Sequence, residues 1–205
     1  MTGEDDNKVG MTQIKWWNEV YASTDPTLAG KIGTVVAVVL PYTLYHKILP
    51  EPNMPNGGTQ EERLDLLFSL QVLPALVVVF YIALTGLQRV PHSPAAAHDP
   101  ANMYATGLMP ANVHAANRAF INTLQHYVLL WAASCGLALR LSLNELKMLP
   151  ALYITWSVCR VMYIVGYIYF GGSGRMLGFL GTCLSSFAAL VYTMYLTAQE
   201  KGLFY

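Results

Sequence analysis

Arg118, Asn122 and Gln125 follow one another at i, i+4 and i+7, so in a helix they share one face, with His126 at its edge. A second stripe, Arg160, Tyr163 and Tyr167, repeats that spacing further along the chain. Both stripes lie inside or at the lip of apolar runs, where an arginine at mid-span costs about 2.5–3.5 kcal/mol on insertion scales. Such a charge ordinarily meets a carboxylate, yet beyond residue 100 the only acids are Glu145 and Glu200. If the stripes face each other on adjacent helices, they form a pocket of donors suited to an anionic, peptide-like or phosphate-bearing ligand. The same side chains also suit hydrogen bonding between helices, with the tyrosines in an interfacial belt.

The elements that must position these residues are long and apolar. Of the 205 residues, 54% are hydrophobic and 12% charged, against about 25% charged in ordinary soluble domains. Twelve basic residues balance twelve acidic ones, so no charge excess points to a nucleic-acid partner. Bilayer crossing needs on the order of 20 apolar residues, and the chain reads as an all-α polytopic membrane protein with five spanning helices. A polar segment, 1–26, precedes a first helix over 27–49, with Asp25 as N-cap, Pro26 opening it and Pro50 closing it. A Pro-, Gly- and Asn-rich loop over 50–63 follows, in which Thr59 and Glu62 form a capping box. The remaining four helices occupy 64–198, with apolar parts over 66–87, 119–141, 146–170 and 176–198, before a tail over 199–205. Ser142 and Glu145 form a second capping box, Gly171 to Gly174 read as a tight turn, and Pro41 and Pro74 predict kinks.

Short turns join the last three helices, which are therefore expected as antiparallel neighbours. The connection over 89–117 is too long for a hairpin. Loop charges divide five against five: Lys8, Lys15, Lys31, Arg89 and Arg175 oppose Lys47, Arg63, Arg140, Lys147 and Lys201, so counting gives no orientation. The first thirty residues carry acids and show no signal-peptide pattern. Trp16, Trp17 and Tyr21 read as interfacial anchors. Cys135, Cys159 and Cys183 sit in apolar runs and suggest neither a disulfide framework nor a metal site. The five histidines show no ligand spacing. Gly174, Gly178, Gly181, Ser185 and Ala188 form a small-residue seam suited to close helix packing.

Arg118-Ala119-x-x-Asn122-x-x-Gln125-His126 resembles the RAxxNxxE signature of the MAPEG family, membrane-associated proteins in eicosanoid and glutathione metabolism. Arg160-x-x-Tyr163-x-x-Gly166-Tyr167, with Arg175 after a short loop, is similar to that family's second signature. The resemblance covers about residues 64–198 and implies a four-helix bundle, a homotrimer in the lipid bilayer and glutathione bound between adjacent subunits. It implies that Arg118 and Asn122 hold glutathione, with Gln125 and His126 beside them, that Tyr163 and Tyr167 line the site, and that Arg160 is the buried basic residue. Arg175 would be the catalytic cation, lowering the thiol pKa so that the thiolate nucleophile forms. It further implies a cytosolic N-terminus. Where the family signature has an acid this chain has Gln125; Ala115 stands where glutathione-using members often carry another arginine, and His126 where a tyrosine can follow the acid. These departures, with the extra helix over 27–49, resemble a divergent, mattrin-like branch of the family. The implied function is either a degenerate site in a non-catalytic protein of trafficking or signalling, or a glutathione-dependent transferase or peroxidase acting on lipophilic substrates. The expected location is an endomembrane (endoplasmic reticulum, Golgi or lysosome-related) or the plasma membrane.

Overall fold

The computed structural model describes residues 26–89 and 111–203. All regular structure among them is helical: α1 (Pro26–Thr43) with a π-helical turn (Leu44–Ile48), α2 (Gln60–Leu70), α3 (Val72–Arg89), α4 (Ala111–Arg140), α5 (Met148–Gly174) and α6 (Met176–Glu200). Asp25 and the tryptophans before it lie outside the described residues, as does most of the long connection. Four stretches are long and apolar enough to cross a membrane: Leu28–Ile48, Gln60–Leu87, Leu143–Tyr167 and Met176–Glu200. The fifth expected span, α4, has the length, since its 30 residues reach about 45 Å at 1.5 Å each. Its first half carries Asn117, Arg118, Asn122, Gln125 and His126, which dilute its hydropathy, and it is seated in the bundle by packing on α3, α5 and α6.

The local signals act as chemistry dictates. Thr59 Oγ1 accepts from the Glu62 N–H, while the Glu62 carboxylate accepts from the Thr59 N–H at 3.1 Å. The Glu145 carboxylate accepts from the Ser142 N–H at 3.1 Å and from its hydroxyl at 2.6 Å. Pro74 cannot donate to the Leu70 carbonyl, and the helix breaks there, α2 ending at Leu70 and α3 starting at Val72. Beyond Pro41 the turn widens into the π-helical segment instead of stopping.

Two expectations are corrected. The glycines after Phe170 do not end the helix: α5 stays helical to Gly174, and Arg175 alone separates it from α6. The reversal is nevertheless made there, because the Gly174 carbonyl lies against Gly166 where a Cβ would stand, and eight residues of straight helix would hold them about 12 Å apart. The small-residue seam holds at Gly178, Gly181 and Ser185, which are buried, but Ala188 is exposed and Ala189 takes its place. At 3.6 residues per turn Ala189 lies about 20° from the direction of Gly178 and Ala188 about 80° away.

The seam is where α6 packs on two helices. A Cβ on Gly178 would strike the Cys159 carbonyl and the Tyr163 N–H of α5. One on Gly181 would meet Cys159 Sγ and, at 3.4 Å, Ala37 of α1. Gly33 of α1 lies against the carbonyls of Met176 and Leu177, so α1 is keyed into the bundle backbone to backbone. Two apolar clusters fill the interior. The larger, around Leu67, Leu130, Leu137, Leu149, Tyr153 and Trp156, lies toward the end formed by α2 and the α4–α5 turn. The smaller, around Val77, Tyr81, Ala119, Tyr163, Ile164 and Tyr167, lies toward the opposite end.

Candidate functional site

The smaller cluster surrounds the one arginine that α5 carries through the bundle. Arg160 is fully buried, 0% exposed. Its Nη1 donates to Asn122 Oδ1 of α4 at 2.9 Å. The guanidinium lies 4.7 Å from the Tyr163 ring centre and 5.7 Å from that of Trp156, so two electron-rich faces offset part of its charge. Nε and Nη2 have no hydrogen-bond acceptor among the described residues. A buried donor without an acceptor is costly, by about 1–3 kcal/mol and more when charged.

Helical spacing explains the wall beside it. Tyr163 and Tyr167, one turn apart on α5, stack with ring centres 5.8 Å apart at 28°. Phe179 of α6 lies 6.3 Å from the Tyr163 ring and 6.1 Å, edge-on, from His126. His126 is half-buried, and its Nδ1 is also without a partner.

The α4 stripe is split by this packing. Asn122 turns in toward Arg160, whereas Arg118 and Gln125 are exposed, on the margin of a face that also exposes Ile121, Leu124 and Val128. Asn117 is the buried polar residue of that turn. The i, i+4, i+7 pattern identified a common face; packing on α5 runs along its edge, so one member faces inward and two outward. Arg175, at the α5–α6 junction, is exposed as well. Within one chain the structure therefore brings together Asn122, His126, Arg160, Tyr163 and Tyr167, and leaves Arg118, Gln125 and Arg175 on the surface. The side chain of Ala115 lies outside the described ones. Sequence reading missed Trp156 and Phe179. The first was visible as an aromatic one turn before Arg160; nothing in the sequence marked the second.

Charge reinforces the asymmetry. Every described carboxylate (Glu51, Glu61, Glu62, Asp65, Glu145 and Glu200) belongs to the loops and helix ends at the α2 end. The exposed cations Lys31, Arg118 and Arg175 gather at the end where α1 and α6 begin and α5 finishes. An anion approaching Arg160 from that end meets positive charge and no described acid. The arrangement can hold an anionic or acceptor-rich group.

No curated protein and no solved structure matches the chain. The MAPEG family model matches residues 67–195, well over half of its length and the whole of the site just described, and the chain therefore belongs to the MAPEG family.

Proposed function

We propose that this MAPEG-family membrane protein keeps a degenerate glutathione site and acts without catalysis, through protein partners in trafficking or signalling at an endomembrane or the plasma membrane. The observation that carries this is the dispersal of the site: Arg118, Gln125 and Arg175 face outward, while the side-chain oxygen of Asn122 is occupied by Arg160. Gln125 also offers glutathione an amide where the family signature offers a carboxylate, so one charge-assisted bond to its amine is lost. The extra helix α1 fits the mattrin-like branch. Exposed Arg118 and Gln125 in a membrane helix are costly against lipid, which supports a homotrimer in which a neighbouring copy covers them and completes the site.

One observation favours the alternative, a glutathione-dependent transferase or peroxidase acting on lipophilic substrates. Two buried nitrogens of Arg160, Nε and Nη2, lack acceptors among the described residues, and an anionic ligand would satisfy them. In that reading Arg175 supplies the cation that favours a thiolate. Thermal stability in detergent across millimolar glutathione tests both. The expected result is weak stabilisation of the wild type, stronger in Gln125→Glu and lost in Arg118→Ala, with no conjugation of a lipophilic electrophile. At a hundredfold excess over Kd a ligand specific to the folded state adds about 2.7 kcal/mol. Turnover by the wild type would overturn the non-catalytic reading; no shift in either the wild type or Gln125→Glu would remove the glutathione site itself.

A further inference from the structure

At the end of the bundle away from Arg160, a cleft of about 250 Å³ opens between the last turns of α1 and the first turns of α5. Tyr42, Tyr45 and His46 form one wall, and Met148, Ala151 and Leu152 the other. Its origin lies in the sequence. Pro41 has no N–H to give the preceding turn, and the chain beyond it relaxes into the π-helical turn Leu44–Ile48, closed by the Leu49 N–H on the Leu44 carbonyl at 2.9 Å. Such widened turns displace side chains from the regular α-helical positions and recur at functional sites. Here the turn sets Tyr42 and Tyr45 on either side of His46, with ring centres 4.6 and 4.7 Å from the imidazole.

The cleft lies close to the ends of the apolar stretches that form it. One ends at Ile48 and the other begins at Leu143. An apolar floor with an aromatic rim suits the region where acyl chains meet headgroups. Lys147 stands at that rim, its Nζ 4.8 Å from the centre of the Tyr45 ring. Lys47 is exposed on the neighbouring turn. Neither lysine has a carboxylate within ion-pair distance: the ion pair among the described residues is Arg140 with Glu200. Glu145, the acid nearest Lys147 in sequence, is held by Ser142 and by the Tyr192 hydroxyl, and Glu51, the acid nearest Lys47, is exposed in the loop that follows α1.

We propose that this cleft binds one anionic phospholipid, an acyl chain lying against Met148, Ala151 and Leu152 while the phosphate-bearing headgroup is met by Lys147 and Lys47. The site is separate from the Arg160 cluster and does not depend on glutathione binding. Aromatic and aliphatic walls accept any acyl chain; the two lysines select charge. A lysine near an anionic surface adds about fivefold in affinity, which sets the scale of the preference.

Native mass spectrometry of the full chain in detergent, titrated with phosphatidylserine or with phosphatidylcholine of the same chains, tests this. Wild type should retain phosphatidylserine at least about fivefold better than phosphatidylcholine. Lys147→Gln should bring the two close together, Lys147→Arg should keep the preference, and glycerol phosphate alone should not displace the lipid. Equal retention of both lipids by the wild type, or an undiminished preference in Lys147→Gln, would overturn the proposal. Displacement by glycerol phosphate would overturn it too, by showing a headgroup site with no chain in the cleft. If Lys147→Gln does not fold, Lys47→Gln, at an exposed position, carries the same expectation of a reduced preference.

Discussion

At the end of the bundle formed by α2, Arg63 reaches across to the last turn of α4. Its Nη1 donates to the carbonyls of Ala138 and Leu141 at 3.0 and 2.6 Å, and its Nε to the Gly58 carbonyl at 2.7 Å. The Ala138 and Leu141 carbonyls lie at the C-terminal end of α4, where the helix itself supplies no donor. Midway along α5 Arg160 is more deeply buried and makes one hydrogen bond, to Asn122. The surroundings differ in the same sense. Near Arg63, Gln71 at the α2–α3 break donates to the Leu67 carbonyl and the Tyr153 hydroxyl at 3.0 and 2.7 Å and accepts from the Tyr127 hydroxyl at 2.8 Å. Near Arg160, His126 Nδ1, Trp156 Nε1 and two guanidinium nitrogens have no acceptor or donor opposite them among the described residues. The Arg63–Gln71 network is satisfied from within the chain and serves stability. The surroundings of Arg160 hold donors in reserve, the condition for binding something from outside.

Substitutions can break that contrast. The largest effect is expected at Gly178→Leu, on the seam next to Arg160. The added side chain would have to enter the Cys159 carbonyl and the Tyr163 N–H, and backbone cannot yield as a flexible side chain can. Overpacking of this kind costs about 3 kcal/mol or more, and unchanged size and thermal stability in detergent would show that α5 and α6 are not in contact there. Arg63→Ala comes next. It strips the α4 carbonyls of a charged donor, and with hydrogen bonds to charged groups at about 1.5–3 kcal/mol the expected loss is about 2–3 kcal/mol. A loss under about 0.5 kcal/mol, the usual effect of a surface substitution, would mean that water serves those carbonyls equally well.

Much of the fold could be read from local signals, because local signals made it. Both capping boxes, the Pro26 start and the break at Pro74 each depend on groups within one helical turn. The apolar runs were enough to read an all-helical membrane fold, and the RAxxNxxE-like and RxxYxxGY stripes carried the resemblance that the family match over residues 67–195 bears out. What could not be read depends on distance. Arg63 meets Ala138 and Leu141 across more than seventy residues, and no motif links them. The division of Arg118, Asn122 and Gln125 between inside and outside is set by where α5 crosses α4, which periodicity alone leaves free. Glycine was misread in part for a different reason: at about 1 kcal/mol each relative to alanine, Gly171, Gly172 and Gly174 weaken a helix without forbidding it, so helical hydrogen bonding runs on to Gly174 while the close approach of the Gly174 carbonyl to Gly166 makes the reversal the glycines signalled.

A finer test of the satisfied network is Gln71→Leu. It removes three hydrogen bonds at the α2–α3 break and leaves the Tyr127 and Tyr153 hydroxyls to find new partners; Tyr153 is fully buried. Loss of one partner from a buried polar network costs about 1–3 kcal/mol, and the added apolar side chain returns part of it, so the net effect should be about 1–2 kcal/mol. Tyr127→Phe combined with Gln71→Leu should then cost less than the sum of the two singles, because they share a bond. Additivity would show that the three residues do not act as one network.

The smallest stability change is expected where burial is deepest. Arg160→Met removes a fully buried charge and keeps most of the side-chain volume. Replacing a buried ionic group with an apolar one is often neutral or stabilising, because the desolvation of the charge is relieved. Against this stands the Asn122 side-chain oxygen, left without its donor at a cost of about 1–3 kcal/mol. The two terms nearly cancel, and the single variant should fall within about 1 kcal/mol of the wild type. Asn122→Leu added to Arg160→Met removes the orphaned oxygen as well, so the double variant should be more stable than the single. Thermal unfolding in detergent, beside Arg63→Ala in the same conditions, reads the difference directly. If Arg160→Met unfolds as readily as Arg63→Ala, the guanidinium is a structural brace like the other, and its spare donors do not mark a binding site. If instead it is tolerated while any glutathione stabilisation disappears, the same arginine has been shown to be dispensable for folding and required for the ligand.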